Sequence, residues 1–140
     1  MTDPFDLERF VEAQAPVYPR VLAELRQGRK QSHWMWFIFP QLTGLGHSAM
    51  AQRYAIGSRA EATAYLGHAV LGPRLCECTA LANAVEGQTI REILGSPDDL
   101  KFHSSMTLFA AVSSNPEFAA AIGKFYAGTP DRNTLELLGR

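Results

Sequence analysis

The sequence predicts an all-α fold: one compact domain, residues 1–140, that bundles about seven or eight short helices. Three observations point there. Ala and Leu contribute 34 residues against 11 for Val and Ile, and Ala and Leu are strong helix formers whereas β-branched side chains suit strands. Apolar residues recur at i, i+3, i+4 spacing, and no segment keeps the alternation of a strand. Helix start signals recur along the whole chain.

Taken in order, ten segments carry these signals. Segment 4–14 opens on Asp3-Pro4, an N-cap followed by Pro at the first helical position, and sets Leu7, Phe10, Val11 and Gln14 along one face, polar only at the last. Segment 17–27 carries the stripe Tyr18, Val21, Leu22, Leu25 and stops at Gly28. Segment 33–39 is an aromatic run, and 48–55 starts at Ser48 after a glycine-containing loop. Segment 59–67 follows Ser58-x-x-Glu61, a capping box in which side chains satisfy each other's unpaired N–H groups. Segment 71–86 ends before Gly87, and 90–94 lies between a second box, Thr89-x-x-Glu92, and Gly95. Segment 98–113 follows Ser96-Pro97-Asp98-Asp99, a cap, a proline and two carboxylates suited to the positive end of a helix dipole. Its stripe is Phe102, Met106, Phe109. Segment 116–127 follows Asn115-Pro116-Glu117 and stops before Gly128, and 133–138 rests on Asn133-x-x-Glu136. Ten segments for seven or eight helices means that some are expected to merge or to prove turns.

Composition excludes several classes. The chain has 140 residues, 46% of them hydrophobic and 19% charged, with a net charge of −1. A disordered chain is poor in apolar residues and rich in net charge, and a nucleic-acid binder shows a basic excess; neither holds. A chain of this length buries roughly two thirds of its unfolded surface and folds without disulfide or metal. Cys76 and Cys78 stand too close for an unstrained disulfide in regular structure, so free thiols are expected. The start Met1-Thr2-Asp3-Pro4 has no basic or apolar leader region, and no apolar run approaches the roughly 20 residues that span a bilayer. A cytoplasmic protein without membrane or nucleic-acid partner is the expectation; a protein partner is left open.

Three stretches carry candidate chemistry. Trp34, Trp36, Phe37 and Phe39 place four of the fourteen aromatics, and both tryptophans, within six positions. Such a run is either a core helix, apolar all round, or one wall of a pocket with Lys30, His33 and Gln41 at its edge. The loop Leu42-Thr43-Gly44-Leu45-Gly46-His47 is either a tight connection or an anion-binding nest; it lacks the preceding strand and third glycine of a dinucleotide fingerprint. In Pro97–Thr107, Asp99 and His103 share one helical face, Lys101 and Ser105 another, and Ser104 and Thr107 lie three apart. Caps and hydroxyls bonded back to carbonyls explain the acids, but not the Ser104-Ser105 pair. The four histidines and Cys-x-Cys lack zinc-ligand spacing, and no nucleophile elbow, phosphate loop or His-Glu-x-x-His occurs, so neither metal nor cofactor is expected.

Longer matches add a resemblance. His33-Trp34-Met35-Trp36-Phe37-Ile38-Phe39-Pro40-Gln41, Gly44-Leu45-Gly46, Tyr54-Ala55-Ile56, Tyr65-Leu66-Gly67-His68, Val70-Leu71-Gly72-x-Arg74-Leu75 and Ser104-Ser105-Met106-Thr107-Leu108-Phe109 resemble the family catalogued as domain of unknown function 1810. The opening Asp3-Pro4-Phe5-Asp6-Leu7-x-Arg9-Phe10 and the closing Asp131-x-x-Thr134-Leu135-x-Leu137-Leu138 are similar to it as well. The resemblance spans nearly the whole chain and implies a small, mainly α-helical domain, with no activity attached. Two positions depart from the pattern: Ala69 stands where Pro is usual, and Phe102-His103 where Leu-Arg is commoner. The second weakens a proton-transfer role for His103 and leaves His33 and His68 as the acid–base candidates. The functional expectation is a pocket for a small anionic or nucleotide-like ligand, walled by Trp34, Trp36 and Tyr54, with Lys30, His33, Gln41, His68, Asp99, Lys101, Ser104 and Ser105 as its polar edge. The alternative is a non-enzymatic interaction module whose aromatic motif is its core.

Overall fold

The computed structural model describes residues 3–139 and places a helix on every one of the ten segments. They are α1 (Glu8–Gln14), α2 (Tyr18–Gln27), α3 (Met35–Ile38), α4 (Ala49–Arg53), α5 (Arg59–Gly67), α6 (Leu71–Ala84), α7 (Ile90–Leu94), α8 (Asp98–Val112), α9 (Pro116–Phe125) and α10 (Arg132–Leu138). Among the described residues the count is therefore ten rather than seven or eight: no two segments merge and none reduces to a turn. Each boundary has its own stop or start. Gly28 ends α2 at φ +70°, Gly95 separates α7 from α8 at φ +83°, and side-chain caps from Ser48, Ser58, Thr89 and Asn115 open α4, α5, α7 and α9. Met1 and Thr2, where the reading for a leader begins, lie outside the described residues, as does Arg140.

Four helix starts differ from the sequence reading. At α5 Ser58 accepts from the Glu61 N–H at 3.1 Å, but the Glu61 carboxylate accepts from the Gly57 N–H at 2.9 Å rather than from Ser58, so the expected box is only half formed. The Asp3 carboxylate does cap, accepting from the Leu7 and Glu8 N–H groups at 2.8 and 3.0 Å, and these bonds hold its carboxyl below the usual range. The helix proper starts only at Glu8, because Asp6 takes φ +51° and interrupts the first turn. Pro97, rather than Ser96, occupies the cap position of α8 and no side chain caps it; Asp98 and Asp99 lie in the first turn. For α10 the cap is Asp131, accepting from the Thr134 N–H at 3.1 Å, two residues before the expected Asn133.

One hydrophobic core runs through the described residues. Its axis is α8, where Phe102 and every residue from Ser104 to Phe109 are buried, the hydroxyl side chains of Ser104, Ser105 and Thr107 among them. It packs against α5, α7, α9 and α10, while α6 lies across α2, α5 and α9. The aromatic run enters this core: Phe39 meets Phe102 edge-on at 4.8 Å, and Phe37 meets Tyr54 at 5.4 Å. The polar end of the α1 stripe, Gln14, is buried as well, with its amide donating to the Phe37 carbonyl at 2.7 Å. After α3 the chain loops out from Gln41 to Ile56. It is closed by an isolated parallel bridge between Leu42 and Ile56, whose bonds are Ile56 N–H to Gln41 O and Thr43 N–H to Ile56 O, both 2.8 Å.

Candidate functional site

The two tryptophans of the run meet different fates. Trp34 is enclosed, 1% exposed, and its indole N–H donates to Glu24 Oε1 at 2.9 Å. Glu24, on α2, also accepts from the Gln31 N–H (2.8 Å), the Ser32 N–H (3.1 Å) and the Ser32 hydroxyl (2.6 Å). Burial pushes this carboxyl up, but the hydrogen bonds from Ser32, Gln31 and Trp34 outweigh it and hold the group at about 2. Trp36 is only half-buried, and its indole nitrogen, itself inaccessible, has no hydrogen-bond partner among the described residues.

A lysine covers each indole. Lys30 Nζ lies 5.2 Å from the Trp34 ring and Lys101 Nζ 5.3 Å from the Trp36 ring. Asp98 stands between them, 2.8 Å from Lys30 and 3.8 Å from Lys101. Lys101 then lines a cleft of about 360 Å³ together with Gln41, Leu45, Gly46, Pro97, Leu100, His103, Ser104, Asp131 and Asn133. Of the residues expected to bind ligand, the structure thus brings Gln41, Lys101 and Ser104 into one cleft, with Trp36 adjoining through Lys101. Gly46 is required there by packing, since a Cβ would lie 2.5 Å from that of Ala51.

The polar residues of α8 divide between this cleft and the C-terminal segment. Ser104 donates to Asp131 Oδ2 at 3.1 Å, and the same oxygen accepts from the Thr134 hydroxyl at 2.6 Å. The Asp131 N–H donates to Thr107 Oγ1 at 2.8 Å, and Thr107 donates to the His103 carbonyl at 2.9 Å. His103 Nε2 lies 2.7 Å from the Thr129 carbonyl, with its ring stacked on Tyr126 at 3.8 Å. Asp131 and Asn133 are cleft residues that the sequence reading missed. The signal for Asp131 was present as a cap, Asp131-x-x-Thr134.

The remaining candidates lie elsewhere. Tyr54 is buried against Phe10 and Phe37. Ser105 is fully buried, and neither its hydroxyl nor Asp99 Oδ1 has a hydrogen-bond partner among the described residues. His33 is exposed on the approach to α3. His68 caps α6: its Nδ1 accepts from the Val70 and Leu71 N–H groups at 3.0 and 3.3 Å, which places the ring proton on Nε2. His68→Ala is expected to cost about 1 kcal/mol, the usual worth of such a cap, and His68→Asn, which can accept from the same groups, to recover most of it. Urea denaturation of both variants checks this; equal losses would remove the capping role. Cys76 and Cys78 are free thiols, and burial pushes Cys78 up to about 12, so a nucleophilic role is disfavoured. Among the described residues no group of three or more His, Cys, Asp or Glu side chains could hold a metal ion, and no helix is long and apolar enough to cross a membrane.

Fold and cleft together define a small all-helical domain, built around one buried helix, with a polar cleft where that helix meets the C-terminal segment. The chain belongs to the family described as protein of unknown function, DUF1810, whose sequence model matches residues 4–138. The same fold is present in the crystal structure of the conserved hypothetical protein Rv1873 from Mycobacterium tuberculosis. That protein is 60% identical, with a TM-score of 0.97 and 99% of each chain covered. No curated protein matches the chain.

Proposed function

We propose that the chain binds a small anionic metabolite, on the scale of a sugar phosphate or a mononucleotide, in the cleft lined by Gln41, Lys101 and Ser104. The observation that carries this reading is convergence: a loop residue and two α8 residues some sixty positions later line one cleft of about 360 Å³. That volume lies at the small end of ligand sites. Its apolar walls come from Leu45, Pro97 and Leu100, while Gln41 and Asn133 supply amides and Lys101 an ammonium group. The role is binding, and His68, one of the two acid–base candidates, is already committed as a helix cap.

A thermal-shift panel of sugar phosphates, nucleotides and small carboxylates tests the reading. A ligand at one hundred times its Kd stabilises the fold by about 2.7 kcal/mol, a rise of roughly 10 °C for a chain of this size. Lys101→Ala is expected to abolish that rise. A panel without response, or a response that Lys101→Ala leaves intact, would overturn the cleft. One observation favours the interaction-module reading instead: Leu100, on the rim of the cleft, is 61% exposed. A partner protein would cover it, and Leu100→Ser would then weaken that association without altering small-molecule stabilisation.

A further inference from the structure

The two lysine–tryptophan pairs share one carboxylate, and they do not share it equally. Asp98 holds Lys30 at 2.8 Å, with the Lys30 side chain only 8% exposed. Lys101 stands 3.8 Å from the other oxygen, beyond hydrogen-bond length, and is 22% exposed. One carboxylate against two ammonium groups leaves a surplus positive charge, and the distances place it on Lys101, the lysine that lines the cleft. Among the described residues no other charged group pairs with it. Asp131 shares the cleft and keeps its charge, but its Oδ2 is held by Ser104, the Thr134 N–H and the Thr134 hydroxyl rather than by Lys101. His103 Nε2 is engaged with the Thr129 carbonyl. Asp99, the next acid on α8, is not among the residues that line the cleft.

We propose that Lys101 is the side chain that recognises the anionic group, and that the face of Trp36 is where it rests when no ligand is bound. An anion in the cleft offers the ammonium group a charge-assisted hydrogen bond, stronger than a long ion pair or a partly exposed cation–π contact. Lys101 therefore leaves the indole as the ligand arrives, while Lys30, locked by Asp98, stays over Trp34. This rests on the cleft reading above and adds which residue selects for charge and which reports binding. Trp36 suits that role because its indole N–H is unpartnered, whereas that of Trp34 is fixed by Glu24.

The test is 19F NMR of the full chain carrying 5-fluorotryptophan, titrated with inorganic phosphate and with pyrophosphate against chloride at matched ionic strength. The chain has two tryptophans and gives two resonances. Trp36→Phe assigns them by loss, and if that variant does not fold, the resonance moved by Lys101→Gln marks Trp36. The expected result is a saturable shift of the Trp36 resonance alone, with Lys101→Gln abolishing it and weakening binding at least tenfold. Thermal stabilisation by either anion that Lys101→Gln weakens, but with the Trp36 resonance unmoved, overturns the inference and leaves the cleft standing; affinity unchanged in Lys101→Gln overturns both. No stabilisation and no shift with either anion overturns both.

Discussion

Replacing Glu24 with alanine is expected to destabilise the protein by about 4 kcal/mol, the cost of stripping a buried acceptor from several donors at once. Gln31 is an exposed residue and Ser32 a half-buried one, so their groups can turn to water, but the Trp34 indole N–H is left in the core without an acceptor. Glu24→Gln separates charge from shape. An amide oxygen can stay where the Gln31, Ser32 and Trp34 N–H groups converge on Oε1, and the Ser32 hydroxyl can reverse to accept from the amide nitrogen. The expected loss is then about 2 kcal/mol, from the charge-assisted part alone. Acidity supplies a second signature. The carboxyl is held at about 2 in the fold against an ordinary 4.5. A group whose pKa is depressed by folding stabilises fully above its unfolded value, and that contribution fades as pH falls from about 4.5 towards 2. The difference is worth roughly 3 kcal/mol. The gap between the native protein and Glu24→Gln should therefore hold constant from about pH 7 to about 5 and narrow as pH is lowered further towards about 3. Urea denaturation at stepped pH measures it; a gap independent of pH would show that the charge on Glu24 contributes nothing.

The helices were legible because their signals are local. Thr89 and Glu92 cap each other across three residues, and Asn115 accepts from the Glu117 N–H, so neither depends on the rest of the chain. The helix count was not legible, because α3 and α4, of four and five residues, are too short to stand on propensity: α3 is held by burial of Met35, Phe37 and Ile38, and α4, with no buried residue, opens on the Ser48 cap. Trp34 and Trp36 read alike in sequence, yet the acceptor that encloses one of them lies ten residues earlier, on α2. Ser104 and Ser105 also read alike. On a helix, neighbours point about 100° apart, so one reaches Asp131 while the other is buried in the core. The cleft joins Gln41 to Asp131, ninety positions on, and only the docking of α10 against α8 brings them together.

The same substitution is expected to act in opposite directions at two helical glycines, Gly72 in α6 and Gly123 in α9. Helix propensity favours alanine over glycine by up to about 1 kcal/mol, so on local grounds both variants should gain. At Gly123 a Cβ meets nothing within 4 Å, the residue is exposed, and the gain should appear as a Tm rise of about 2–4 °C. At Gly72 the Cβ would fall 2.1 Å from the carbonyl oxygen of Leu66 and 3.0 Å from its carbon. That oxygen belongs to the backbone of α5, so no rotamer change relieves the overlap. The turn carrying Leu66 must move away from α6, yet Tyr65, Leu71 and Leu75 around it are all fully buried and close-packed. Overpacking of this kind usually costs 1–3 kcal/mol, and contact with backbone puts Gly72→Ala near the upper end, about 3 kcal/mol after the propensity gain is deducted. The expected Tm loss is roughly 10 °C, read by differential scanning calorimetry beside Gly123→Ala. A Gly72→Ala variant as stable as the native protein would mean that α5 and α6 separate freely. The glycine in Val70-Leu71-Gly72-x-Arg74-Leu75 would then have no steric reason to be there.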